Sequence, residues 1–287
     1  RQLINARQIE LVMMAARLGR PFVFECHNFL KPSASKLFPR FVEIMNRSRC
    51  RGGLVTTTLA GKHSFMQAGI PESRIAVLPN GVYIQRYENL PPQDDLRRAL
   101  QLPGSKTIAC FSGSLYPGRG IENIIYCAEQ YRDTYFLIIG GNAEEVRRYR
   151  DMAQDGTAAN LHFTGHVPST EVPRYLKAAD VLLMPNTSKS SGHSIDYASP
   201  MKVFDYLAAG KPIIASDFPV LREIFAHEHN AFLVPADSES ELARGLQWVL
   251  DNPVAAANMA EQARIDSKKY TWEQRADAYL SFVRELP

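Results

Sequence analysis

Residues 185–217 read PNTSKSSGHSIDYASPMKVFDYLAAGKPIIASD, a polar loop followed by a predicted helix and a predicted buried strand. The helix spans residues 199–210, with a proline in its first turn and a glycine at its end. Lys202 and Asp205 stand three positions apart and are expected to share a helix face. A cation and a carboxylate near free helix amides predict a site for a nucleoside diphosphate. The alternative is an ordinary helix whose lysine and aspartate are solvated.

A second candidate is the turn GSLYPGRG at residues 113–120, directly after a predicted strand. Its glycines lack the G-x-G-x-x-G spacing, and the next strand ends in IIGGN without an acidic residue, which disfavours NAD binding. It also lacks the Gly-Lys-Ser/Thr ending of a P-loop. Arg119 offers paired donors to phosphate oxygens. The turn is therefore a second phosphate-binding candidate, with a plain strand-to-helix turn and a solvated arginine as the alternative.

Length and composition place the chain among globular α/β proteins. Its 287 residues fit two domains, and its sequence contains no apolar run of the ~20 residues that a membrane span requires. The four cysteines lack C-x-x-C spacing, so reduced thiols in a cytoplasmic setting are expected. The histidines show no spacing with acids that would hold a metal ion.

Apolar strands alternate with helical segments from about residue 106 onward. The predicted strands are KTIACF, YFLIIG, NLHFTG, DVLLMP, PIIASD and AFLVP. Continuous apolar strands between helices indicate a parallel sheet covered on both faces, and right-handed crossovers give a doubly wound α/β fold. Ligands bind such sheets beyond the carboxyl ends of the strands, where the candidate residues fall. Residues 1–79 continue the pattern, with a helix over residues 4–19 and strands at PFVFEC, GLVTTT and RIAVLP.

Four ordered blocks resemble segments of glycosyltransferase family 4. They are IAVLPNGVYIQRY, CFSGSLYPGRGIENII, LHFTGHVPSTEVPRYLKAADVLLMPN and SPMKVFDYLAAGKP. The resemblance implies a GT-B fold of two Rossmann-like doubly wound domains. It further implies a retaining, metal-independent transferase that takes a sugar from a nucleoside diphosphate donor. The donor, expected to be UDP- or GDP-linked, is a substrate, and no cofactor is expected.

The resemblance also assigns roles to individual residues. The residues matched to donor binding are Gly113, Ser114, Arg119, Gly120, Gly165, His166, Val167, Tyr197, Ser199, Pro200, Met201, Lys202 and Asp205. Among them Asp205 is matched to the ribose, and Arg119 and Lys202 to the diphosphate. His27, after PFVFEC, resembles the catalytic histidine that lies beside the transferred sugar. A polar residue at a strand boundary is the alternative for His27, and a surface residue is the alternative for His166.

Two positions depart from the family pattern. Many members carry a glutamate eight residues before the ribose-binding acid, where this chain has Tyr197, and an arginine where it has Ser114. A catalytically degenerate GT-B protein that binds a nucleotide or a protein partner is therefore the main alternative. A GT-B sugar-nucleotide epimerase is a further one, whereas a phosphorylase needs a longer chain and a pyridoxal lysine.

The same comparison predicts a domain organisation. Residues 1–88 are expected to form an incomplete acceptor-side domain with the crossover, and residues 89–270 the donor-binding domain. Residues 271–287 are expected to form a helix that packs back toward the first domain. The first domain is about half as long as in complete family members.

Charge is divided unevenly along the sequence and bears on the acceptor. Residues 1–100 hold 15 Lys and Arg against 7 acids, and the remainder holds 18 against 23. Residues 31–51 concentrate six cations around apolar positions, which fits either a surface for anionic membrane or a helix packing on its own sheet. The acceptor is unknown, with a lipid-linked or polysaccharide precursor as hypotheses, and the expected location is the cytoplasm or the inner face of the membrane. No nucleic-acid module is recognisable.

Overall fold

The computed structural model describes residues 2–27, 35–47, 50–153, 159–188 and 201–286. The chain divides into two compact units. Unit 1 contains Arg1–Gly81 and Tyr270–Pro287, and unit 2 contains Val82–His193 and Met201–Lys269.

Strands and helices alternate along both units. The strands are β1 Ile4–Ala6, β2 Phe22–Cys26, β3 Gly52–Thr56, β4 Ile75–Val77, β5 Ile108–Ser112, β6 Tyr135–Ile139, β7 Leu161–Gly165, β8 Val181–Met184, β9 Ile213–Ser216 and β10 Phe232–Val234. The helices are α1 Ile9–Arg17, α2 Phe38–Met45, α3 Leu59–Gln67, α4 Gln85–Glu88, α5 Gln93–Ala99, α6 Ile121–Gln130, α7 Ala143–Met152, α8 Val172–Ala178, α9 Lys202–Ala209, α10 Pro219–Arg222, α11 Glu239–Asp251, α12 Pro253–Ser267 and α13 Trp272–Glu285.

The beginning of unit 1 differs from the sequence prediction. A single helix was expected over residues 4–19, but a strand, β1, precedes α1. β1 pairs in parallel with β2, with Ile4 opposite Phe22 and Ala6 opposite Phe24. The prediction was wrong for β1 because pairing with a strand distant in sequence overrides a local pattern that suits either structure.

In unit 1 the described strands form a parallel sheet in the order β1-β2-β3-β4, covered on both faces. On one face the ring of Phe24 meets that of Phe41 in α2 edge-on, with 5.4 Å between centroids. On the other face α13 lies so close to β3 that a Cβ on Gly53 would be 2.8 Å from the ring of Phe282. Four apolar residues of α2 are buried in the core: Phe38, Phe41, Ile44 and Met45. α2 therefore packs its apolar face on its own sheet, as one of the two interpretations of residues 31–51 predicted.

In unit 2 the described strands form a parallel sheet in the order β10-β9-β8-β5-β6-β7. Its core side chains include Phe111, Ile138 and Leu183, each fully buried. The chain runs from β5 outward to β6 and β7 on one side, and then returns to place β8 beside β5. This reversal makes the carboxyl ends of β5 and β8 the switch point of a doubly wound sheet, where a crevice for ligands opens. The predicted α/β fold is confirmed.

The four cysteines are buried and unbridged. Cys110 lies in β5 and Cys127 in α6, and burial raises the pKa of the Cys127 thiol to about 12. Cys50 precedes β3, and burial raises its pKa as well. All four are therefore core side chains.

Candidate functional site

The first part of the site is the turn that follows β5. Gly113 has φ +143, and its amide donates a 2.9 Å hydrogen bond to the carbonyl of Ile139 at the end of β6. Gly140 packs so closely on this turn that a Cβ there would lie 2.2 Å from the Gly113 carbonyl oxygen. Glycine alone tolerates both the positive φ and such a close contact between the two backbones. The turns GS after β5 and GG after β6 therefore pack on each other at the carboxyl ends of these strands.

The turn ends at Gly120, which precedes α6. Gly120 has φ +73, and a Cβ on it would lie 1.6 Å from the carbonyl oxygen of Pro185, directly after β8. The carbonyl of Gly118 accepts a 2.9 Å hydrogen bond from the amide of Thr187. The turn after β5 is therefore packed against the segment after β8. These contacts place the start of α6 at the switch point of the sheet.

Lys202, the first residue of α9, projects toward the same turn. Its Nζ atom is buried and has no hydrogen-bond partner among the described residues. It lies 3.9 Å from the centroid of the Phe111 ring and 3.2 Å from the position that a Cβ on Gly113 would take. Burial, with a smaller contribution from the positive charge of Arg119, lowers the pKa of Lys202 well below its usual value. An anion beside Nζ would offset the cost of burying the charged form of Lys202.

Arg119 is the second cation at this turn. Its guanidinium lies 4.2 Å from the centroid of the Tyr116 ring and donates to the Tyr116 hydroxyl. Its Nε atom is buried without a hydrogen-bond partner among the described residues, and burial lowers its pKa. Stacking on Tyr116 fixes the plane of the guanidinium. Arg119 and Lys202 thus form a pair of desolvated cations that an oxyanion would stabilise.

Asp205 lies one turn further along α9. The hydroxyl of Tyr87 in α4 donates a 2.7 Å hydrogen bond to its Oδ1 atom. Burial raises the pKa of Asp205, and the hydrogen bond from Tyr87 opposes that rise. Sequence reasoning did not single out Tyr87, although it lies within the block IAVLPNGVYIQRY that matches the family. Oδ2 of Asp205 has no protein partner among the described residues, so it can accept a bond from a ligand hydroxyl.

Helix α9 is held at the strand ends by Tyr206. Its hydroxyl accepts a 2.9 Å hydrogen bond from the amide of Ser112 in β5 and donates a 3.2 Å bond to the carbonyl of Leu183 in β8. The residue is fully buried, and burial raises the pKa of its hydroxyl. Tyr206 therefore ties α9 to both strands of the switch point. Gly210, in the left-handed conformation with φ +60, ends the helix where the sequence predicts.

The remaining predicted donor residues lie in different settings. Gly165 ends β7 with φ +71, and His166 after it is exposed, while Val167 is half-buried. Ser114 is exposed after Gly113, and Met201 before α9 is 57% exposed. Tyr197, Ser199 and Pro200 lie outside the described residues. The described structure thus gathers Gly113, Gly120, Arg119 and Lys202, with Asp205 on the same helix as Lys202.

In unit 1, His27 follows β2 and is paired with a buried carboxylate. Its Nε2 atom lies 2.9 Å from Oε1 of Glu25, and Arg275 of α13 donates to the same oxygen at 2.6 Å. Asn5 donates to Oε2 at 3.2 Å. The hydrogen bond with His27, and those from Arg275 and Asn5, lower the pKa of Glu25 to about 2 although burial opposes them. Glu25 and His27 stand two positions apart in the sequence FECH. Because alternate residues of a strand share a face, this spacing could have predicted their contact.

The described residues contain no group of three or more histidines, cysteines, aspartates or glutamates that could hold a metal ion. Within the same ranges no helix is both long and apolar enough to cross a bilayer.

Comparison with known families gives the class of the protein. Residues 92–266 match the family described as Glycosyl transferases group 1, which is more than half of the 287 residues. Together with two parallel Rossmann-like sheets, this match defines a protein of the GT-B fold class. The chain belongs to the group 1 glycosyl transferases.

Two curated relatives show the level of sequence identity between this chain and known glycosyltransferases. An uncharacterized glycosyltransferase of Methanocaldococcus jannaschii is 23% identical over 238 residues, which cover 81% of this chain and 58% of that protein. A GDP-mannose-dependent alpha-(1-6)-phosphatidylinositol monomannoside mannosyltransferase of Mycobacterium tuberculosis is 26% identical over 226 residues, which cover 77% of this chain and 58% of that protein. The chain therefore spans less than two thirds of the length of these relatives.

Solved structures agree on the fold. Anabaena HepE in complex with UDP superposes with a TM-score of 0.83 at 20% identity, covering 99% of this chain and 79% of that one. WaaG, a glycosyltransferase involved in lipopolysaccharide biosynthesis, superposes with a TM-score of 0.67 at 17% identity, covering 98% of this chain and 73% of that one.

Proposed function

We propose that this chain belongs to a retaining glycosyltransferase and that unit 2 holds the diphosphate of its nucleotide-sugar donor. The observation that carries the proposal is the pair of buried cationic atoms beside the Gly113 turn, Nζ of Lys202 and Nε of Arg119, neither with a partner among the described residues. An unpaired buried charge is costly, so it is retained where a ligand neutralises it. A donor diphosphate supplies that counter-charge at the switch point of the sheet.

The proposed chemistry uses charge neutralisation of the leaving group. Lys202 and Arg119 offset the charge that develops on the diphosphate as the bond to the sugar breaks. Asp205, oriented by Tyr87, accepts hydrogen bonds from the ribose hydroxyls. His27 is proposed to meet the transferred sugar, with Glu25 fixing its ring. As the family resemblance implies, a donor phosphate oxygen would help to deprotonate the acceptor, and neither a protein base nor a metal ion is invoked.

The donor base and the acceptor are proposed only by class. One relative is named as GDP-mannose-dependent, and one similar structure contains UDP, so GDP- and UDP-sugars are the donors to test. Another relative is named as an alpha-galactosylglucosyldiacylglycerol synthase, and it supports a lipid-linked acceptor as a hypothesis beside a polysaccharide precursor. A cytoplasmic location and contact with the inner face of an anionic membrane belong to the same proposal.

Calorimetric titration of UDP, GDP and ADP tests the donor site. We expect one nucleotide to bind the wild type and to bind Lys202→Met at least about tenfold more weakly, because a charge-assisted contact to phosphate is lost. Lys106→Met removes an exposed lysine of unit 2 and serves as the control. Absence of binding to all three nucleotides would refute the donor site.

The second candidate function is a degenerate GT-B protein that binds a nucleotide without turnover. Tyr197 and Ser114, which replace charged residues of the family pattern, favour it. Release of free nucleotide from a UDP- or GDP-sugar in the presence of an acceptor separates transfer from binding alone. Nucleotide binding without release under any acceptor would favour the degenerate protein.

A further inference from the structure

Unit 1 contains a cavity of about 330 Å³ at the amino ends of β2 and β3. Its apolar wall includes Phe22, the first residue of β2, and Ile44 of α2. The lining contains no acidic residue, and half of its members are arginines: Arg17, Arg20, Arg40, Arg47 and Arg51. His27 lies at the other end of β2, roughly 13 Å along a five-residue strand. The cavity is therefore separate from the site proposed for His27.

Hydrogen bonds hold the backbone segments that carry three of the arginines around this cavity. α1 ends in a Schellman motif in which Gly19, with φ +62, donates to Ala16 and Arg20 donates to Ala15. At the start of β3 and in the segment before it, the buried guanidinium of Arg74 donates to the carbonyls of Arg47, Cys50 and Gly52. The segments that carry Arg20, Arg47 and Arg51 are thus held by hydrogen bonds, and Arg74 adds a sixth cation next to the carbonyls of Arg47 and Cys50.

The five lining arginines are exposed. Among the described residues none of them forms an ion pair with a carboxylate. Helix dipoles explain part of the arrangement, because Arg17 lies in the last turn of α1 and Arg47 follows the end of α2. Arg40 lies in the first turn of α2, where the dipole disfavours a cation. Arg40 and Ile44 nevertheless share one face of α2, and both border the cavity together with Arg47.

We propose that this cavity binds a ligand that carries a phosphate or diphosphate group next to an apolar portion. The guanidinium groups would hold the phosphate oxygens through paired charge-assisted bonds, and Phe22 and Ile44 would contact the apolar portion. The volume suits a small ligand or a head group. Two sources share this chemistry, a free phosphorylated compound and the head group of an anionic lipid. The site lies in unit 1 and does not depend on the proposed donor site in unit 2.

Inorganic pyrophosphate is the first probe, and it is titrated calorimetrically into the Lys202→Met variant so that the proposed donor site does not contribute. The test variant adds Arg40→Gln and Arg47→Gln, which remove two lining charges. The matched control adds Arg132→Gln and Arg147→Gln, two exposed arginines of unit 2. We expect the cavity variant to bind pyrophosphate at least about tenfold more weakly and the control to bind within about twofold of its parent. Equal binding by both variants, or no binding of any probe by the parent, overturns the proposal.

Sedimentation with vesicles distinguishes the two sources. Vesicles of phosphatidylcholine alone are compared with vesicles that also contain phosphatidylglycerol. Loss of sedimentation with the anionic vesicles in the cavity variant, but not in the control, identifies a lipid head group even where free pyrophosphate binds weakly. Retention of pyrophosphate binding without sedimentation identifies a free phosphorylated ligand.

A measurement on the unmutated chain guards against misfolding of the variants. Phenylglyoxal modifies accessible arginines, and peptide mass spectrometry locates the adducts. Pyrophosphate, or the anionic vesicles where those are the bound probe, is expected to protect Arg40, Arg47 and Arg51 but not Arg132 and Arg147. Equal modification of all five with and without the bound probe would contradict the assignment of the ligand to this cavity.

Discussion

The hydroxyl of Tyr87 donates a 2.7 Å hydrogen bond to Oδ1 of Asp205 across 118 positions of sequence. Tyr87 is 4% exposed, and its own pKa is raised by burial and by the neighbouring carboxylate. It therefore stays protonated and is the donor in its bond to the Asp205 carboxylate. The bond leaves the second carboxylate oxygen of Asp205 for a ligand. Burial raises the pKa of Asp205, and the hydrogen bond from Tyr87 opposes this rise by favouring the ionised carboxylate.

Replacement of Tyr87 tests this arrangement. In Tyr87→Phe the pKa of Asp205 should rise further, so the carboxylate is lost at a higher pH as the solution is acidified. If ionised Asp205 binds the ribose, nucleotide affinity should fall by about tenfold, and its decline at acidic pH should begin at a higher pH. Calorimetry from about pH 5 to 8 measures both effects.

Tyr175→Phe is the matched control, since Tyr175 is a half-buried tyrosine of α8 in the same unit. It should leave affinity and pH profile unchanged. A Tyr87→Phe variant with wild-type affinity at every pH would show that the Tyr87 hydrogen bond does not orient a ribose ligand.

Lys202 should stabilise the complex and destabilise the free protein. In Lys202→Met the buried unpaired ammonium is replaced by an apolar side chain of similar length, which should raise the free energy of unfolding by about 1 to 3 kcal/mol without ligand. The same variant should bind nucleotide at least about tenfold more weakly. Chemical denaturation and calorimetry measure the two effects, with Lys106→Met as the exposed control. A variant that is less stable than the wild type would contradict the idea of an uncompensated charge.

The pH dependence of stability gives a second test of Lys202. Its folded pKa is below the usual 10.5, so the unfolded chain binds more protons than the folded chain between these two values. Stability of the free protein should therefore rise with pH in that range, and Lys202→Met should lack this contribution. A diphosphate ligand should raise the pKa of Lys202 again, so nucleotide binding by the wild type should take up protons at a pH above the folded pKa of this lysine. Calorimetry in buffers of different ionisation enthalpy measures that uptake, and an identical value in Lys202→Met would contradict it.

Gly120 should be sensitive to the addition of one methyl group. In Gly120→Ala the new Cβ would lie 1.6 Å from the Pro185 carbonyl oxygen, at φ +73. We expect the turn to shift, with a loss of about 2 kcal/mol or more in stability and weaker nucleotide binding. Gly104→Ala is the control, because nothing lies within 4 Å of its Cβ position and its φ is not positive. Thermal unfolding checks both, and equal melting temperatures would contradict the close approach.

The sequence could predict those elements whose signal is local. Strands such as β5 and β8 are continuous apolar runs because both faces of the sheet are covered, and α9 ends at Gly210 because its left-handed φ suits glycine. Lys202 and Arg119 could be identified from the surrounding sequence as candidate phosphate-binding residues. β1 could not be predicted, because Ile4 and Ala6 become a strand only through pairing with β2.

The partners of the site residues depend on contacts between distant segments. Nothing near Asp205 in sequence indicates that Tyr87 donates to it, and nothing near Glu25 indicates Arg275, which is 250 positions away. The absence of a partner for Nζ of Lys202 is equally a property of the folded unit. Sequence can therefore identify the charged groups of the candidate site, whereas their burial and orientation require the fold.

Glu25 should make unit 1 sensitive to acid. Its pKa is about 2 in the folded chain against an ordinary 4.5, a difference that corresponds to about 3 kcal/mol of stability above pH 4.5. Because the folded pKa is the lower one, this stability should be lost as the pH falls from 4.5 toward about 2. In Glu25→Gln the free energy of unfolding should be lower at neutral pH and should change less over that range. Denaturation at a series of pH values measures the difference.

Hydrogen exchange in helix α13 should depend on the same carboxylate, that of Glu25. Arg275 loses its anionic partner in Glu25→Gln, so the amides of α13 should exchange with deuterium faster than in the wild type. Glu273→Gln, an exposed acid of the same helix, is the control and should leave exchange unchanged. Because Glu25 also contacts His27, any loss of sugar transfer in Glu25→Gln should be compared with Arg275→Gln, which keeps the contact with His27. Loss of transfer in Glu25→Gln alone would favour orientation of His27, and equal loss in both would favour the docking of α13.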